Sequence, residues 1–300
     1  MTIKTISDIA AAYENGRYWS GHMYKVFNTN SNGGQTLDLS YTGGVPLFNY
    51  YASAPLTSAI LESKDGIFPG PSVNSAGYTK YLHQALLMPP NNQDLLGIVL
   101  YVHDIVMYYP FVDGDGGFQA MTNSIPIPRY NGVGCKIMIT SQGVGVAATN
   151  NVFITYTNTE DVQNTINVRM DGTAVAGRLA ISNDTISAAT TANLQTASQN
   201  PYYNLVPGDV GIKRIDSIDI QSPIGGIFAV SIVKPLCIVS AQNQTAATFG
   251  TLGAPIEVDY ARDRLMLPVV QDGAVIQTAY RGNSAQTSSR HLFTTSFIWG

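Results

Sequence analysis

Charged side chains are scarce in this sequence of 300 residues. Asp, Glu, Lys and Arg make up 12% of the chain, about half of the roughly 25% that an ordinary soluble domain carries. The net charge is −4, and the basic residues of "IKRID" (212–216) and "ARDRL" (261–265) lie beside acids. Without a basic stripe, direct binding of nucleic acid is disfavoured. A surface built mostly from uncharged polar residues suits a protein packed against partners, or a secreted one.

Cysteine is also scarce, and its two occurrences lie far apart. Cys135 and Cys237 sit in the apolar, strand-like contexts "GCKIMI" and "PLCIV", which favours two buried free thiols. A single disulfide between them is the alternative, whereas a disulfide scaffold is excluded. The four histidines are dispersed along the chain, so the sequence offers no zinc site of short Cys/His spacing.

No hydrophobic run reaches the length of a membrane helix. The longest, residues 95–109, has about 15 residues and contains His103 and Asp104, whereas a membrane helix needs ~20. The N-terminal "MTIKTISDIAAAYENG" lacks the basic region and apolar core of a signal peptide. We therefore expect a chain that is made in a cytoplasm and has no membrane partner.

Sequence motifs of enzymes are missing as well. The chain contains no G-x-S-x-G, Walker A, H-E-x-x-H or C-x-x-C motif. The "GVGVAA" stretch (143–148) imitates a phosphate-binding loop, but a strand pattern follows it where a helix is required. The sequence therefore predicts no enzyme activity, no cofactor and no metal; a hydrolase with dispersed carboxylates is the alternative.

The Asp-rich stretch "VDGDGG" imitates a calcium loop. An EF-hand loop that began at Asp113 would have Gly117 at position 5, Phe118 at position 6 and Ser124 at position 12. These residues fail three of the five requirements for oxygen donors, Gly and Glu. The stretch therefore predicts a tight turn, with an incidental cation held by Asp113 and Asp115 as the alternative.

His103 and Asp104 are the other candidate chemical pair. They are neighbours in a strand-like apolar run, and neighbouring strand residues point to opposite faces of a sheet. The two side chains are therefore not expected to form a catalytic His–Asp pair with each other. A hydrogen-bonded core histidine and an Asp at the outer side or an interface are the better interpretation.

Strand patterns dominate the chain from about residue 95 onward. They recur with Gly- and Pro-containing turns between them, without alternating helices, in residues 95–111, 134–140, 151–158, 164–170, 211–221, 227–236 and 265–280. This predicts a mainly β fold, an antiparallel β-sandwich or jelly roll. Residues 211–221 and 227–236, joined by "SPIGG", also predict a β-hairpin whose second strand is central.

Two stretches have helix patterns. The first, residues 7–15, has Ser7 as a plausible N-cap and Gly16 as a stop. The second, residues 79–88, has helix-like Leu spacing before two prolines.

The chain is predicted to divide into two parts. Residues 1–56 combine the N-terminal helix with a Gly-, Pro- and Tyr-rich stretch that predicts an extended arm. Residues 57–300 form the β-sandwich body, in which residues 182–200 are a long polar loop.

Several segments, taken in order, resemble a known family. They are "YYASAPL" (50–56), "DGIFPG" (65–70), "MYYPFVDGDG" (107–116), "SIPIPRYNGVG" (124–134), "FITYTNTED" (153–161), "LVPGDVGIKRIDSI" (205–218), "GGIFAVSIVKPL" (225–236) and "APIEVDY…LPVVQDGAVI" (254–276). This order is similar to virion structural proteins of tailed bacteriophages, of the head decoration or cement type. No single segment is specific; their number and order carry the resemblance, which spans most of residues 37–276.

The resemblance implies a non-enzymatic protein on the capsid surface of a virion that is assembled in the host cytoplasm. Such a protein stabilises the shell through subunit–subunit contacts. Its partners would be the major capsid protein and copies of itself, as a homo-oligomer. A tail or head–tail junction protein is the second possibility, and an aromatic-lined receptor- or glycan-binding module is the third.

Aromatic residues of the N-terminal part are the predicted partner contacts. The chain has 17 tyrosines, and aromatic side chains are common at protein interfaces and sugar sites. The predicted contacts are Tyr13, Trp19, Tyr41, Tyr50 and Tyr51.

Overall fold

Strands make up most of the part of the chain that the structure describes. The computed structural model describes residues 3–26, 36–47, 51–88, 98–143, 149–171, 177–180, 200–241, 256–260, 266–282 and 290–300. In these residues the chain forms one α-helix, α1 (Ile6–Glu14), and four 3-10 helices, Leu39–Tyr41, Ser63–Asp65, Asn74–Ala76 and Tyr130–Gly132. The strands are β1 (Tyr18–Val26), β2 (Thr36–Asp38), β3 (Gly43–Val45), β4 (Lys80–Met88), β5 (Ile98–Asp113), β6 (Phe118–Ala120), β7 (Lys136–Ser141), β8 (Thr149–Asn158), β9 (Gln163–Asp171), β10 (Ile212–Ile220), β11 (Ile227–Ala241), β12 (Ile256–Asp259), β13 (Val269–Val270), β14 (Ile276–Gly282) and β15 (Arg290–Trp299).

The strands form three sheets. A six-stranded sheet has the order β12-β4-β15-β1-β3, with β13 also paired to β4. A five-stranded sheet has the order β2-β14-β5-β11-β7, and a four-stranded sheet has the order β6-β10-β8-β9. The pairings between these strands are all antiparallel. The predicted mainly β, antiparallel sandwich-type fold with an N-terminal helix is therefore confirmed.

The five-stranded sheet contributes to two large apolar cores. Leu100 and Val102 of β5 lie in a core shared with Met23 and Phe293 of the six-stranded sheet. Farther along β5, apolar side chains that include Tyr109 lie in a core shared with the four-stranded sheet. Each fully buried aliphatic or aromatic side chain contributes ~1.5–3 kcal/mol through removal from water. The long strand β5 thus ties the two cores together.

Helix α1 begins at a capping box. Thr5 Oγ1 accepts a hydrogen bond from the Asp8 backbone N–H at 3.2 Å, and Asp8 Oδ2 accepts one from the Thr5 N–H at 2.8 Å. The N-cap is therefore Thr5, two residues before the predicted Ser7. Gly16 follows the helix with a φ of +66°, a left-handed conformation that glycine adopts without strain.

The described part of residues 1–56 belongs to the body rather than to an extended arm, which corrects the sequence prediction. Strand β1 pairs with β15 along its whole length, from Tyr18 to Val26. Leu39 and Tyr51 are completely buried. The sequence could not show this, because the partner strand β15 lies some 270 residues away in "HLFTTSFIW". Most of the predicted polar loop 182–200 lies outside the described residues.

The helix predicted for residues 79–88 is wrong. Lys80–Met88 is strand β4, which pairs with β15 on one side and with β12 and β13 on the other. Most of its side chains are buried, because a strand covered on both faces has a nearly continuous apolar run. The Leu spacing that suggested a helix is a by-product of that run.

The hairpin predicted for residues 211–236 is also wrong, although β11 is central as expected. Strand β10 lies between β6 and β8, while β11 lies between β5 and β7 in another sheet. The connecting segment is held by the predicted Asp turn, whose geometry is confirmed. Asp113 Oδ1 accepts the Asp115 N–H at 2.9 Å, and Asp115 Oδ1 accepts the Gly225 N–H at 3.0 Å.

His103 and Asp104 separate as strand alternation predicts, and both are fully buried. His103 Nδ1 lies 3.1 Å from the Tyr202 hydroxyl. Asp104 accepts two hydrogen bonds from Arg129, at 2.8 and 2.9 Å, and a third from the Val275 N–H at 2.8 Å. Asp104 is thus half of a buried ion pair, not an interface residue. Cys135 and Cys237 are both free, as expected.

Candidate contact surface

The outer face of the six-stranded sheet is the most promising contact surface. On β1 the exposed side chains alternate with buried ones, so that Tyr18, Ser20, His22 and Tyr24 lie on the outer face. Met23, by contrast, points into the core. Helix α1 packs against this sheet through a small apolar cluster of Ile3, Ala12, Tyr81 and Ile298. The rest of the face is open in the described chain.

Four apolar side chains form a row across this face. Tyr24 of β1 is directly opposite Val45 on one side and Leu292 on the other, and Leu292 is opposite Met88. The exposed fractions are 62% for Val45, 39% for Tyr24, 40% for Leu292 and 41% for Met88. At ~4.8 Å between strands, the row is about 14 Å long. We call these four residues the apolar row. The four exposed side chains are contiguous rather than scattered, which is the arrangement that makes a surface a candidate for contact.

Polar pairs cover the centre of the outer face. His22 Nδ1 lies 3.1 Å from Thr294 Oγ1, and the next pair of opposite residues is Ser20 and Ser296. Farther across, Gln84 Nε2 donates to Asp259 Oδ2 at 2.8 Å. The apolar row therefore lies at one end of the face, and these polar side chains lie between it and helix α1.

Tyr13, the first predicted contact, lies where α1 meets these polar side chains. Its hydroxyl is 2.9 Å from His83 Nδ1, and its ring centroid is 5.0 Å from that of Tyr18. On the other side of the imidazole, His83 Nε2 lies 3.6 Å from Asp259 Oδ1. The three side chains join α1, β4 and β12.

This Tyr–His–Asp arrangement resembles a proton relay, but its geometry indicates a structural role. His83 is only 5% exposed, and each of its ring nitrogens already faces one of the other two side chains. Burial lowers the pKa of His83, against the opposing field of Asp259, so the imidazole is neutral near pH 7. Burial also raises the pKa of Tyr13, so its phenol keeps its proton. The arrangement holds the helix to the sheet.

Trp19 lies on the opposite side of β1 from Tyr18, at the margin of the sheet. Its ring meets that of Phe68 edge to face, with centroids 5.6 Å apart. Both side chains stay partly exposed, 40% for Trp19 and 43% for Phe68. Trp19 is thus available to a partner that approaches the edge of the sheet rather than its outer face.

Tyr41 and Tyr51 belong to a buried network rather than to a contact surface. Tyr51 is completely buried and donates to Asp38 Oδ2 at 2.6 Å, which corrects its prediction as a partner contact. Burial raises its pKa well above the ordinary value. Tyr41 is half-buried, stacks on Tyr51 at 6.3 Å between centroids, and donates to the Gln142 carbonyl at 3.1 Å. Tyr50 lies outside the described residues.

The predicted contacts thus do not converge on one surface. Tyr13 lies on the outer face and Trp19 lies at the edge. Sequence reasoning missed the apolar row, because its members come from four strands far apart in the chain. A usable signal was present in β1, where Tyr18, Ser20, His22 and Tyr24 alternate with smaller or apolar residues.

An open cleft of about 730 Å³ lies away from this face. It is bounded by residues 123–127 and by the start of β10, where Lys213 and Arg214 line it. Both cations are already paired, Lys213 with Asp161 and Arg214 with Asp216, each at 2.8 Å. Within the described ranges, no three His, Cys, Asp or Glu side chains are grouped so that they could hold a metal ion.

No protein-family model, curated protein or solved structure matches this chain. The described part of the chain also contains no helix with the length and hydropathy needed to span a membrane.

Proposed function

We propose that this protein is a non-enzymatic structural component of a bacteriophage virion. It decorates the capsid and stabilises it by subunit–subunit contacts, with the major capsid protein and copies of itself as partners. The observation that carries the contact role is the apolar row, which is exposed at one end of the outer sheet face. The ordered sequence segments that resemble head decoration proteins support the phage assignment.

The free energy of binding supports a contact made through the apolar row. The apolar row is built on four adjacent hydrogen-bonded strands, so little conformational freedom is lost when it is covered. Apolar burial contributes ~25 cal/mol per Å² as an upper figure. Few charged groups need to be stripped of water, because only 12% of the chain is charged. Many such modest contacts, repeated over a shell, offset the outward strain that packaged DNA places on capsid seams.

A particle-stability experiment tests the proposal. Particles that lack the protein are expected to assemble, but to break at lower temperature or lower ionic strength than intact particles. Added wild-type protein should restore the resistance, whereas Leu292→Glu should bind the particles at least ~10-fold more weakly. That factor corresponds to about 1.4 kcal/mol, which is less than the cost of burying an unpaired carboxylate in an apolar contact. Binding is measured by co-sedimentation, and breakage by release of DNA on heating.

Ile238→Glu is the matched control. Ile238 is also an exposed aliphatic strand residue, 58% exposed, but it lies on β11 of the five-stranded sheet. It should restore the particles as well as wild type does. Equal loss in the two variants would remove the apolar row from the contact, and particles as robust without the protein as with it would contradict the cementing role. Localisation to the tail by electron microscopy would favour the junction alternative.

A further inference from the structure

Strand β1 is only partly covered on the side away from β15. It pairs with β15 from Tyr18 to Val26, but with β3 only from Tyr24 to Val26. From Tyr18 to Met23, β15 is its one paired strand among the described residues. This stretch is therefore a strand edge beside the outer face.

The direction of the backbone groups along this edge follows from one hydrogen bond. The Trp299 N–H donates to the Arg17 carbonyl at 3.1 Å, so in this antiparallel register the odd-numbered residues of β1 bond to β15. Tyr18, Ser20 and His22 then point their N–H and C=O groups away from β15. None of these six groups has a hydrogen-bond partner in the described chain. This is the pattern of a strand that can accept another strand.

The edge also lacks the usual protection against strand addition. Natural edges carry inward-pointing charges, lysines, prolines or bulges that block pairing. Residues 18–24, "YWSGHMY", contain no charged residue and no proline. Their pairing with β15 runs without a register shift, so no bulge twists the edge away. An edge without these protective features argues that another strand pairs with it.

The two ends of the open edge limit what can pair with it, and a second copy of the chain carries the same unpaired edge. On one side it ends where β3 begins to pair, at Tyr24. On the other side the chain leaves the strand at Gly16, where a positive φ turns it into helix α1. In the open stretch, residues 18–23, the outward-facing residues Tyr18, Ser20 and His22 are centred on Ser20. A second copy of the same stretch, running antiparallel, therefore fits between these two limits without meeting β3.

We infer that two copies of this protein join their six-stranded sheets by antiparallel pairing of β1 with β1, about a two-fold axis at Ser20. This inference deepens the proposed function, on which it rests, by naming one of the partners and the interface. Ser20 faces Ser20 of the second copy as a hydrogen-bonded pair, and Tyr18 faces His22. No like charges meet in this register, and an aromatic pair across strands is favourable. A two-fold interface of this kind is self-complementary and closed.

A cysteine at the axis tests the register directly. Hydrogen-bonded antiparallel residues have Cα atoms ~5.5 Å apart, within the range that a disulfide spans. Ser20→Cys is therefore expected to give a disulfide-linked dimer under mild oxidation. Ser296→Cys is the matched control, since Ser296 is opposite Ser20 on the neighbouring strand but lies too far from the axis to be linked. The readout is non-reducing electrophoresis of the purified protein.

A charged residue at the axis tests the energetics. Wild type is expected to sediment as a dimer at micromolar concentration, and Ser20→Lys to weaken the dimer at least ~100-fold by placing two lysines opposite each other. Ser296→Lys adds the same charge to the same face and should remain a dimer. Circular dichroism confirms that each variant is folded. Ser20→Pro removes the outward N–H without touching a bond to β15, and should act like Ser20→Lys.

The outcomes separate this inference from the proposed function. A wild-type protein that is monomeric at all concentrations overturns it, as does a dimer that Ser20→Cys fails to link. A wild-type dimer whose register Ser20→Cys verifies, but which gives particles no added resistance to heat, would keep this interface and contradict cementing. Loss of particle binding in Leu292→Glu with an intact dimer would show that the two surfaces act separately. Pairing of the edge with an unrelated extended segment, seen as a heterodimer that Ser20→Lys disrupts, would also overturn this inference.

Discussion

Replacing Arg129 with methionine is expected to lower the free energy of unfolding by about 3–5 kcal/mol. Asp104 is completely buried, and Arg129 supplies two of the hydrogen bonds that its carboxylate accepts. Arg129 also donates to the Ile105 carbonyl at 2.7 Å. Methionine fills much of the same volume but leaves a buried carboxylate without its cation. Urea unfolding near neutral pH, followed by circular dichroism, measures the effect.

Arg214→Met is the control for this prediction. Its ion pair with Asp216 has the same 2.8 Å separation, but the arginine side chain is 49% exposed, so its loss should cost less than ~1 kcal/mol. Similar losses in the two variants would contradict the reasoning. The double variant Arg129→Met/Asp104→Leu should recover part of the stability, because the unpaired charge is gone. Recovery should stay incomplete, because the Val275 N–H also loses its acceptor.

This ion pair shows what the sequence could and could not establish. Strand alternation was enough to separate His103 from Asp104 and to exclude a catalytic pair. It could not identify Arg129, which lies 25 positions farther on in an irregular segment. Local rules fix which way a side chain points, whereas its partner depends on how the sheets pack.

The two incorrect secondary-structure predictions have the same cause. β4 was predicted as a helix because its leucines have helical spacing. Its apolar run is explained by packing on both faces, with Leu82 and Leu87 in the core between the sheets and Tyr81 in the cluster beneath helix α1. β10 and β11 were predicted as a hairpin because a Pro/Gly turn joins them, yet that segment carries the chain from one sheet to another. Such choices depend on contacts between distant strands.

The contact surface was predictable only in its parts. Aromatic enrichment near the N-terminus drew attention to Tyr13 and Trp19, both of which are partly exposed. Composition cannot distinguish an exposed tyrosine from a buried one, and Tyr51 proved to be a core residue. The open edge of β1 depends on how far β3 extends, which no pattern within residues 18–23 reveals.

Stability is expected to fall steeply as the pH is lowered from about 6.5 to about 5. Burial lowers the pKa of His103 to about 4, partly opposed by the field of Asp38, and lowers the pKa of His291 to about 3. In the unfolded chain both histidines titrate near 6.5. Below that pH the unfolded state binds more protons than the folded state, so its free energy falls relative to the folded state. Each histidine should cost about 2 kcal/mol between pH ~7.5 and pH ~5.

The carboxylates with lowered pKa values affect the stability in a lower pH range than the histidines do. Asp8 and Asp209 have folded pKa values below the ordinary 3.8, so the stability that they contribute is lost mainly below pH ~4. Urea midpoints measured between pH ~7.5 and pH ~5 therefore report chiefly on the buried histidines, with a further contribution in the same direction from His83.

His103→Gln separates the histidine contribution from other effects of pH. The substitution should lower stability at pH ~7.5, because glutamine fits the site beside Tyr202 less well than imidazole does. Its loss on acidification should nevertheless be smaller than that of wild type by about 2 kcal/mol, since one proton-binding difference is gone. His22→Gln, on the exposed outer face, should keep the full wild-type loss. If wild type and His103→Gln lose the same free energy over this interval, the neutral buried histidine is not the source of the acid sensitivity.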